Sequence, residues 1–294
     1  MFNNLKFKIK KFIRSYTLKN IYSHSLEYRS FSDNGRYLAE ISRILNNENL
    51  FSNFKRSKIY NEILEHVDFT SGEKYLNILK KRNDNFLLKG LNSILLNDDI
   101  GNPIKYFYKD IDIPLSPTTL RYLKVASDLN GLFGNNLGNT AEIGCGYGGQ
   151  AKVNDQLFKI NMQTLFDLPI VNKLIDKYLN LDLLNGAYKT ELINKILPSK
   201  YDLVISNYAF SELPSKLQEV YLKKVITRSK KGYLTMNSGL GGFFSKGAMS
   251  LSEISKFLNN FEIFDEDPIF SRYNYILVWG HNKKFSNKSM KKKL

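Results

Sequence analysis

The sequence predicts an α/β fold in which a mainly parallel β-sheet is covered by helices on both faces. Strand-like apolar runs alternate with helical runs from about residue 139 onward, which is typical of this class. The last two strand-like runs are separated only by residues 265–272, too few for a helical crossover, so we expect the final strand to run antiparallel. With 294 residues, of which 43% are hydrophobic, the chain can bury one large α/β core and a smaller accessory unit.

The strands are predicted from short runs rich in Ile, Leu, Val, Phe and Tyr, and the helices from apolar residues at helical spacing. The predicted strands are a run that ends at Ile143 and the runs 162–167, 201–206, 232–237, 261–264 and 273–279. The predicted helices between them are 170–179, 216–228 and 250–258.

The first third of the chain is predicted to be helical, from about residue 33 to residue 96. One apolar helix face comes from Tyr37, Leu38, Ile41, Ile44 and Leu45. Residues 70–73 have capping-box spacing before a second apolar stretch, and residues 86–96 give a third. Ser116 and Pro117 then predict the N-cap and first turn of a helix that ends at Gly131.

A glycine-rich turn follows the first predicted strand, with Gly144, Gly146 and Gly148 close behind Glu142. Glycines permit positive φ and let a ligand approach bare backbone, while the following helix offers free N–H groups. The Gly-x-Gly-x-x-Gly spacing of residues 144–149 also matches a dinucleotide fingerprint, so NAD is an alternative. Glu142 favours S-adenosylmethionine (SAM), because SAM carries a cationic amino group and a sulfonium but no phosphate.

Asp167 ends the second predicted strand, 25 residues after Glu142. This separation suits one β-α-β step, which would bring Asp167 to the carboxyl end of the neighbouring strand. An acid at that position accepts hydrogen bonds from ribose hydroxyls. Because SAM and NAD both contain a ribose, Asp167 supports a nucleoside cofactor without choosing between them.

Candidate catalytic residues follow the predicted strand 201–206. Methyl transfer to a hydroxyl needs alignment of the reactants and one base. Glu212 is the predicted base, with Tyr208 and Ser211 as catalytic companions and Asn207 beside the cofactor, because open α/β sheets bind ligands at the carboxyl ends of their strands. The alternative role for Glu212 is a helix N-terminal acid that stabilises the helix dipole.

Other candidates are weaker. Residues 265–267 offer a second choice of base, and the loop 237–244 could close over an acceptor. His281 follows the final, antiparallel strand and should therefore leave the sheet at the opposite edge. We predict no metal site, because the Asp98-Asp99 pair lies in the wrong region to supply magnesium ligands.

Four motifs together resemble the bacterial sugar O-methyltransferases associated with surface-polysaccharide synthesis. The motifs are SPTTLRYLKVASDL (116–129), EIGCGYGGQAKV (142–153), FDLPIV (166–171) and DLVISNYAFSEL (202–213). The resemblance covers roughly residues 113–279. It implies a Rossmann-like, seven-stranded methyltransferase sheet with an antiparallel last strand, and a sugar or glycan acceptor that is free or linked to a nucleotide or lipid.

The resemblance also implies roles for individual residues. It places Glu142, Gly144, Gly146 and Gly148 along the methionine part of SAM and Asp167 at the ribose. Leu168 and Cys145 join the predicted cofactor-binding set, and Cys145 stands where many methyltransferases have glycine. The predicted organisation is a helical accessory region over residues 1–104, a SAM-binding domain over 105–281 and a basic C-terminal tail over 282–294.

The net charge of +15 comes mainly from the two ends of the chain. Residues 1–26 carry six Lys or Arg and residues 268–294 carry seven, and neither segment contains an acidic residue. The part between is close to neutral, which disfavours a basic groove for nucleic acid across the catalytic face, although an RNA methyltransferase stays an alternative. The first residues could form a basic amphipathic helix on an anionic membrane surface or pack on their own domain.

The cellular setting follows from two further features. No run reaches the roughly 18 apolar residues of a spanning helix, and the lysine-interrupted start lacks the apolar core of a signal peptide. The single cysteine excludes an internal disulfide framework. We therefore expect a cytoplasmic enzyme, with peripheral contact to the inner face of the membrane as an additional possibility.

Overall fold

The computed structural model describes residues 35–64, 67–82, 96–182, 184–240 and 247–293. Its helices are α1 (Gly35–Leu45), α2 (Glu48–Ser52), α3 (Lys58–Asn61), α4 (Phe69–Arg82), α5 (Pro117–Phe133), α6 (Gly149–Leu157), α7 (Pro169–Leu179), α8 (Ala209–Glu212), α9 (Ser215–Lys224), α10 (Leu251–Ile254) and α11 (Lys283–Ser289). Its strands are β1 (Asn136–Ile143), β2 (Lys159–Phe166), β3 (Ala187–Glu191), β4 (Tyr201–Asn207), β5 (Ser229–Met236), β6 (Glu262–Asp265) and β7 (Tyr275–Trp279).

The seven strands form one sheet in the order β3-β2-β1-β4-β5-β7-β6. Strands β1 to β5 pair in parallel, whereas β7 is antiparallel to both β5 and β6. The predicted fold class is confirmed: a Rossmann-like seven-stranded sheet with an antiparallel last strand. The order reverses beside β1, so β1 has β2 on one side and β4 on the other, which is where ligands bind in open α/β sheets.

Two details of the prediction differ from the structure. Strand β3 (AYKTE) was not located in the sequence, because it is a short edge strand in which no residue is buried. The predicted capping box at residues 70–73 lies inside α4, and the helix is capped instead by Asp68, whose Oδ1 accepts a hydrogen bond from Ser71 N at 2.8 Å. A carboxylate two residues before the predicted cap thus supplies it.

The helices before the sheet share one hydrophobic core with it. Helix α1 packs on α7, and the ring of Phe54 lies edge-on to Tyr147 and Tyr178, at centroid distances of 5.5 and 6.4 Å. Lys55 is 1% exposed and its Nζ lies 4.4 Å from the centroid of the Tyr147 ring. The helical region is therefore fixed against the turn that follows β1.

The lysine-rich end also packs on the sheet. Helix α11 contacts α5, and the segment after it forms a bridge between Lys292 and Phe264 of β6. Lys292 pairs with Glu262 at 2.9 Å and Lys293 with Asp265 at 3.2 Å. The predicted basic tail thus packs on α5 through α11, and its last described residues, 291–293, lie along the outer edge strand, where their positive charges meet acidic partners.

Some predictions fall on other parts of the chain. The basic amphipathic start, His24, His66 and most of the apolar stretch 86–96 lie outside the described residues. Among the helices that are described, none is both long enough and apolar enough to cross a membrane.

Candidate active site

The site lies at the edge of the sheet where the parallel strands end. The turn after β1 has positive φ at Gly144 (74°), Gly146 (59°) and Gly148 (90°), and Gly148 is the N-cap of α6. A side chain would be strained in this left-handed conformation, which is why glycine recurs at alternate positions. The turn exposes bare backbone beside the end of β1, as a bound ligand would require.

Glu142 and Asp167 place two carboxyl groups next to this turn. Glu142 is 5% exposed near the end of β1, and Asp167 directly follows the neighbouring β2. Burial, and then the charge of Asp167, raises the pKa of Glu142 to about 8, and burial raises the pKa of Asp167 to about 6. Two buried carboxyl groups that repel each other favour a cationic ligand, because a positive charge would stabilise both.

Asp167 is oriented by backbone groups. Its Oδ2 accepts a hydrogen bond from Gly146 N at 2.9 Å, and its Oδ1 accepts one from Leu168 N at 2.8 Å. Cys145 lies between these groups with its Sγ donating to Glu142 O at 3.2 Å, and burial raises the pKa of its thiol well above the ordinary value. Cys145 is thus a buried packing residue of the turn rather than a reactive thiol.

The N-terminal helical region covers this part of the site. A Cβ atom on Gly146 would lie 3.0 Å from Leu64 Cδ1, so the Leu64 side chain closes directly over the turn. Tyr37 of α1 is 3% exposed and lies close enough to Asp167 for that charge, after burial, to raise the pKa of its phenol. Sequence patterns predicted a helical accessory region with Tyr37 on an apolar helix face, but gave no signal that Tyr37 or Leu64 would lie at this turn.

The end of β4 meets the end of β1. Ser206 Oγ donates to Ile143 O at 2.9 Å, and a side chain on Gly144 would collide with Ala209, the first residue of α8. Asn207 lies between these contacts, and its Oδ1 is buried without a hydrogen-bond partner in the described structure. An acceptor oxygen in this state is available to a donor on a ligand.

The segment after β4 brings Glu212 and Ser211 into one hydrogen-bond network. Asn237, which follows β5, donates from its Nδ2 to Glu212 Oε1 at 2.9 Å and accepts from Ser211 Oγ at its Oδ1 at 2.7 Å. Burial raises the pKa of Glu212, opposed by the Asn237 hydrogen bond. Ser211 is fully buried and also bonds to Tyr208 O, which makes it a structural link between β4 and β5.

Tyr208 belongs to a second network at the same edge. Its hydroxyl donates to Glu266 Oε1, and Asn274 Nδ2 donates to Glu266 Oε2 at 2.7 Å. Glu266 is 5% exposed, and burial raises its pKa against the lowering effects of Asn274 and the more distant Lys124 and Arg121. The sequence offered Glu266 only as part of a second choice of base, and Asn274 carried no motif that could have indicated its role.

Aromatic side chains flank the second network. Tyr75 of α4 lies 5.7 Å from Phe270 between ring centroids, and Phe270 is 42% exposed in the loop between β6 and β7. The charges of Arg121 and Glu266 both act on the Tyr75 hydroxyl, whose pKa is raised mainly by burial. Helix α4 therefore faces the loop that carries Glu266, and an apolar surface adjoins the polar groups.

His281 lies elsewhere, as its position after β7 predicts. Its Nε2 is 3.7 Å from Glu262 at the start of β6, the opposite edge of the sheet. Burial lowers the pKa of this imidazole. Within the described ranges, no group of three His, Cys, Asp or Glu residues could hold a metal ion.

Comparisons with known proteins give a likeness of fold. No protein-family model matches the chain, and no curated protein matches it. Similar solved structures include N-methyltransferase NodS from Bradyrhizobium japonicum WM9 in complex with S-adenosyl-L-homocysteine (SAH), with 10% identity and a TM-score of 0.41 over 55% of this chain and 85% of that one. The mitomycin 7-O-methyltransferase MmcR has 13% identity and a TM-score of 0.39 over 55% of this chain and 56% of its own.

A third similar structure is a SAM-dependent methyltransferase from Aquifex aeolicus, with 18% identity and a TM-score of 0.38 over 53% of this chain and 87% of that one. Likeness at this level does not identify a cofactor or a substrate. Both must be inferred from the site itself.

Proposed function

We propose that the protein is a SAM-dependent O-methyltransferase. The observation that carries the proposal is the pair of buried carboxyl groups, Glu142 and Asp167, on two sides of a glycine turn whose Gly146 N–H is bonded to Asp167. A methionine amino group and a sulfonium are cations, and a buried acidic pair is favourable for them. NAD carries a pyrophosphate, which a charged Glu142 beside the turn would repel, whereas Asp167 suits the ribose of either cofactor.

The residues of the turn fit a nucleoside cofactor that carries a cationic amino-acid tail. Glu142 and the unpartnered Oδ1 of Asn207 would accept hydrogen bonds from the amino group, and Asp167 would accept bonds from the ribose hydroxyls. Gly144 and Gly146 have positive φ and contribute no side chains of their own to the space where the tail would lie. Bound SAM would supply an electrophilic methyl group.

We further propose a sugar hydroxyl as the methyl acceptor, in surface-polysaccharide or glycan synthesis. Two carboxyl groups with amide partners, Glu212 with Asn237 and Glu266 with Asn274, occur at the same edge. Carboxylates and amides bond the hydroxyls of a sugar, and the exposed ring of Phe270 offers an apolar surface for its C–H face.

The position of the basic side chains supports this acceptor over RNA. A cleft lined by Lys200, Lys223, Arg228 and Lys230 lies where β4 and β5 begin, the edge opposite the site. Lys223 pairs with Glu219 and Lys230 with Asp202. An RNA substrate would be held by phosphate contacts close to the reacting base, whereas this basic cleft lies at the far edge of the sheet.

Calorimetry with SAM, SAH and NAD tests the cofactor. We expect SAM and SAH to bind in the micromolar range, and Glu142→Gln and Asp167→Asn to weaken binding by at least about tenfold, the loss of one charged hydrogen bond. Glu191→Gln is the matched control, because Glu191 ends β3 at the same edge but away from the glycine turn. Binding of NAD alone, or equal losses in all three variants, would contradict the proposal.

A methyl-transfer assay tests the acceptor. Tritiated SAM is incubated with methyl glycosides of hexoses and 6-deoxyhexoses, with their nucleotide-linked forms and with a short RNA. We expect label on a sugar oxygen. Label on the RNA, in place of the sugars, would favour the alternative function.

A further inference from the structure

We infer that Tyr208 and Glu266 form the couple that removes the proton from the methyl acceptor, with Tyr208 as the catalytic residue and Glu266 as the positioning residue behind it. The inference rests on the proposed function. It assigns the base to a pair built from two separate loops, after β4 and after β6, rather than to Glu212 alone.

The position of Tyr208 in the fold supports this role. Tyr208 directly precedes Ala209, and Ala209 packs against Gly144 of the cofactor turn. Tyr208 is half-buried, so part of its side chain stays open to a ligand. Tyr208 is therefore adjacent both to the end of β1 and to the edge of the sheet where the acceptor would bind.

The backbone conformation of Tyr208 also supports this role. Tyr208 has φ of 67°, a left-handed value that costs a bulky non-glycine residue free energy. The conformation is held by the hydrogen bond from Tyr208 N to Thr235 O at 2.9 Å, and by the bond from its hydroxyl to Glu266. Strain of this kind persists where the surroundings over-determine a geometry, as at functional sites.

The burial and hydrogen bonds of Glu266 suit it to accept a proton from Tyr208. It is 5% exposed and accepts hydrogen bonds on both carboxyl oxygens, from Tyr208 and from Asn274. The nearby Lys124 and Arg121 favour its charged form, while burial favours the neutral one. A carboxylate in this balance can receive a proton from the phenol during the reaction and release it afterwards.

Methyl transfer is coupled to removal of the acceptor proton. A bond forms between the acceptor oxygen and the methyl carbon while the sulfur–methyl bond of SAM breaks, leaving neutral SAH. The acceptor proton moves to Tyr208 Oη, and the proton of that hydroxyl moves to Glu266 Oε1. Glu266 then loses its proton to solvent.

Carbon-13 NMR of the side-chain carboxyl groups of glutamate, with SAH present, tests the couple without any acceptor. Glu266→Gln assigns the Glu266 resonance. Tyr208→Phe removes a hydrogen bond to the charged form, so we expect the Glu266 titration midpoint to rise by about 0.5 to 1 pH unit. Glu219→Gln, an exposed residue of α9, should leave the midpoint unchanged. An unmoved midpoint in Tyr208→Phe overturns the inference.

Kinetics test the catalytic role. With the sugar panel above, we expect Tyr208→Phe and Glu266→Gln to lower kcat by about 100-fold or more, with the SAH Kd unchanged within twofold. Glu266→Asp should restore part of kcat and shift the acidic limb of its pH profile. Full kcat in Glu266→Gln, or a loss confined to Glu212→Gln, overturns the couple and leaves the proposed function standing. Failure of the wild type to bind SAH defeats the proposed function itself, and an unmoved NMR midpoint overturns the couple even when no glycoside is methylated.

Discussion

Ala209 packs directly against Gly144, so the first residue of α8 fills the space that a side chain on the cofactor turn would need. This contact joins the segment that carries Tyr208 and Glu212 to the turn that carries Glu142.

Gly144→Ala should destabilise the protein strongly. The new methyl group would overlap Ala209, and alanine is also strained at φ of 74°. We expect a loss of about 2 to 4 kcal/mol in the free energy of unfolding, measured by urea titration. Gly134→Ala is the control, since Gly134 has φ of 77° but no atom within 4 Å of its Cβ position. It should lose less than Gly144→Ala, because only the strain of positive φ remains, and equal losses would show that the Ala209 contact is unimportant.

Glu142→Gln should stabilise the protein without cofactor near pH 8. The pKa of Glu142 is raised to about 8 in the folded chain, so the stability it contributes is fully present below its unfolded pKa, near 4.5, and is lost as pH rises toward 8. Glutamine carries no proton to lose, and we expect a gain on the order of 2 kcal/mol at pH 8 relative to pH 5. Urea titrations at both pH values measure it. A wild-type stability that rises over this range in step with the variant would contradict the expectation.

Binding of SAH should strengthen as pH rises from about 6 to 8. The cationic amino group of SAH needs Glu142 in its charged form, so binding below the raised pKa must first expel a proton. Calorimetry in buffers of different ionisation enthalpy should therefore detect proton release near pH 7. In Glu142→Gln the release should be smaller, and an unchanged release would assign the proton to another group.

Asp128→Asn should be among the most destabilising polar substitutions. Asp128 is fully buried and pairs with Arg82 at 2.7 Å and Lys124 at 2.8 Å, while Tyr233 donates to it at 2.6 Å. Loss of its charge leaves two buried cations without their partner, which costs about 3 to 5 kcal/mol. Glu48→Gln is the control, because Glu48 is 81% exposed in its pair with Lys177 and should cost under about 1 kcal/mol in the same urea titration.

Much of the sheet could be predicted because its central strands carry buried apolar residues. The last four residues of β1 and of β2 are buried, and the apolar ones among them, such as Ile143, Leu165 and Phe166, belong to the runs that sequence patterns detect. Strand β3 lies at the edge with no buried residue, so nothing in its sequence distinguished it from a loop. The reversal of β7 was predictable from the length of the segment before it. The eight residues 265–272 between the two predicted strands cannot carry a helical crossover.

The candidate site was predictable only in part. Glu142, the glycines and Asp167 are separated by regular spacings within one β-α-β unit, so the chain itself fixes their proximity. Glu266 and Asn274 lie 58 and 66 residues beyond Tyr208 and belong to a loop between two other strands. No local sequence pattern links these residues to Tyr208, since their contact depends on the order of the strands in the sheet.

The sequence by itself determined the fold class, the glycine turn and its acidic neighbours, because backbone conformation and strand periodicity act over short stretches of chain. The tertiary structure alone decided which carboxylate meets Tyr208, that Leu64 and Tyr37 cover the turn, and that the C-terminal lysines pair with β6. Those contacts join residues distant in the chain, and their geometry is set by packing and burial, which act between elements rather than within them.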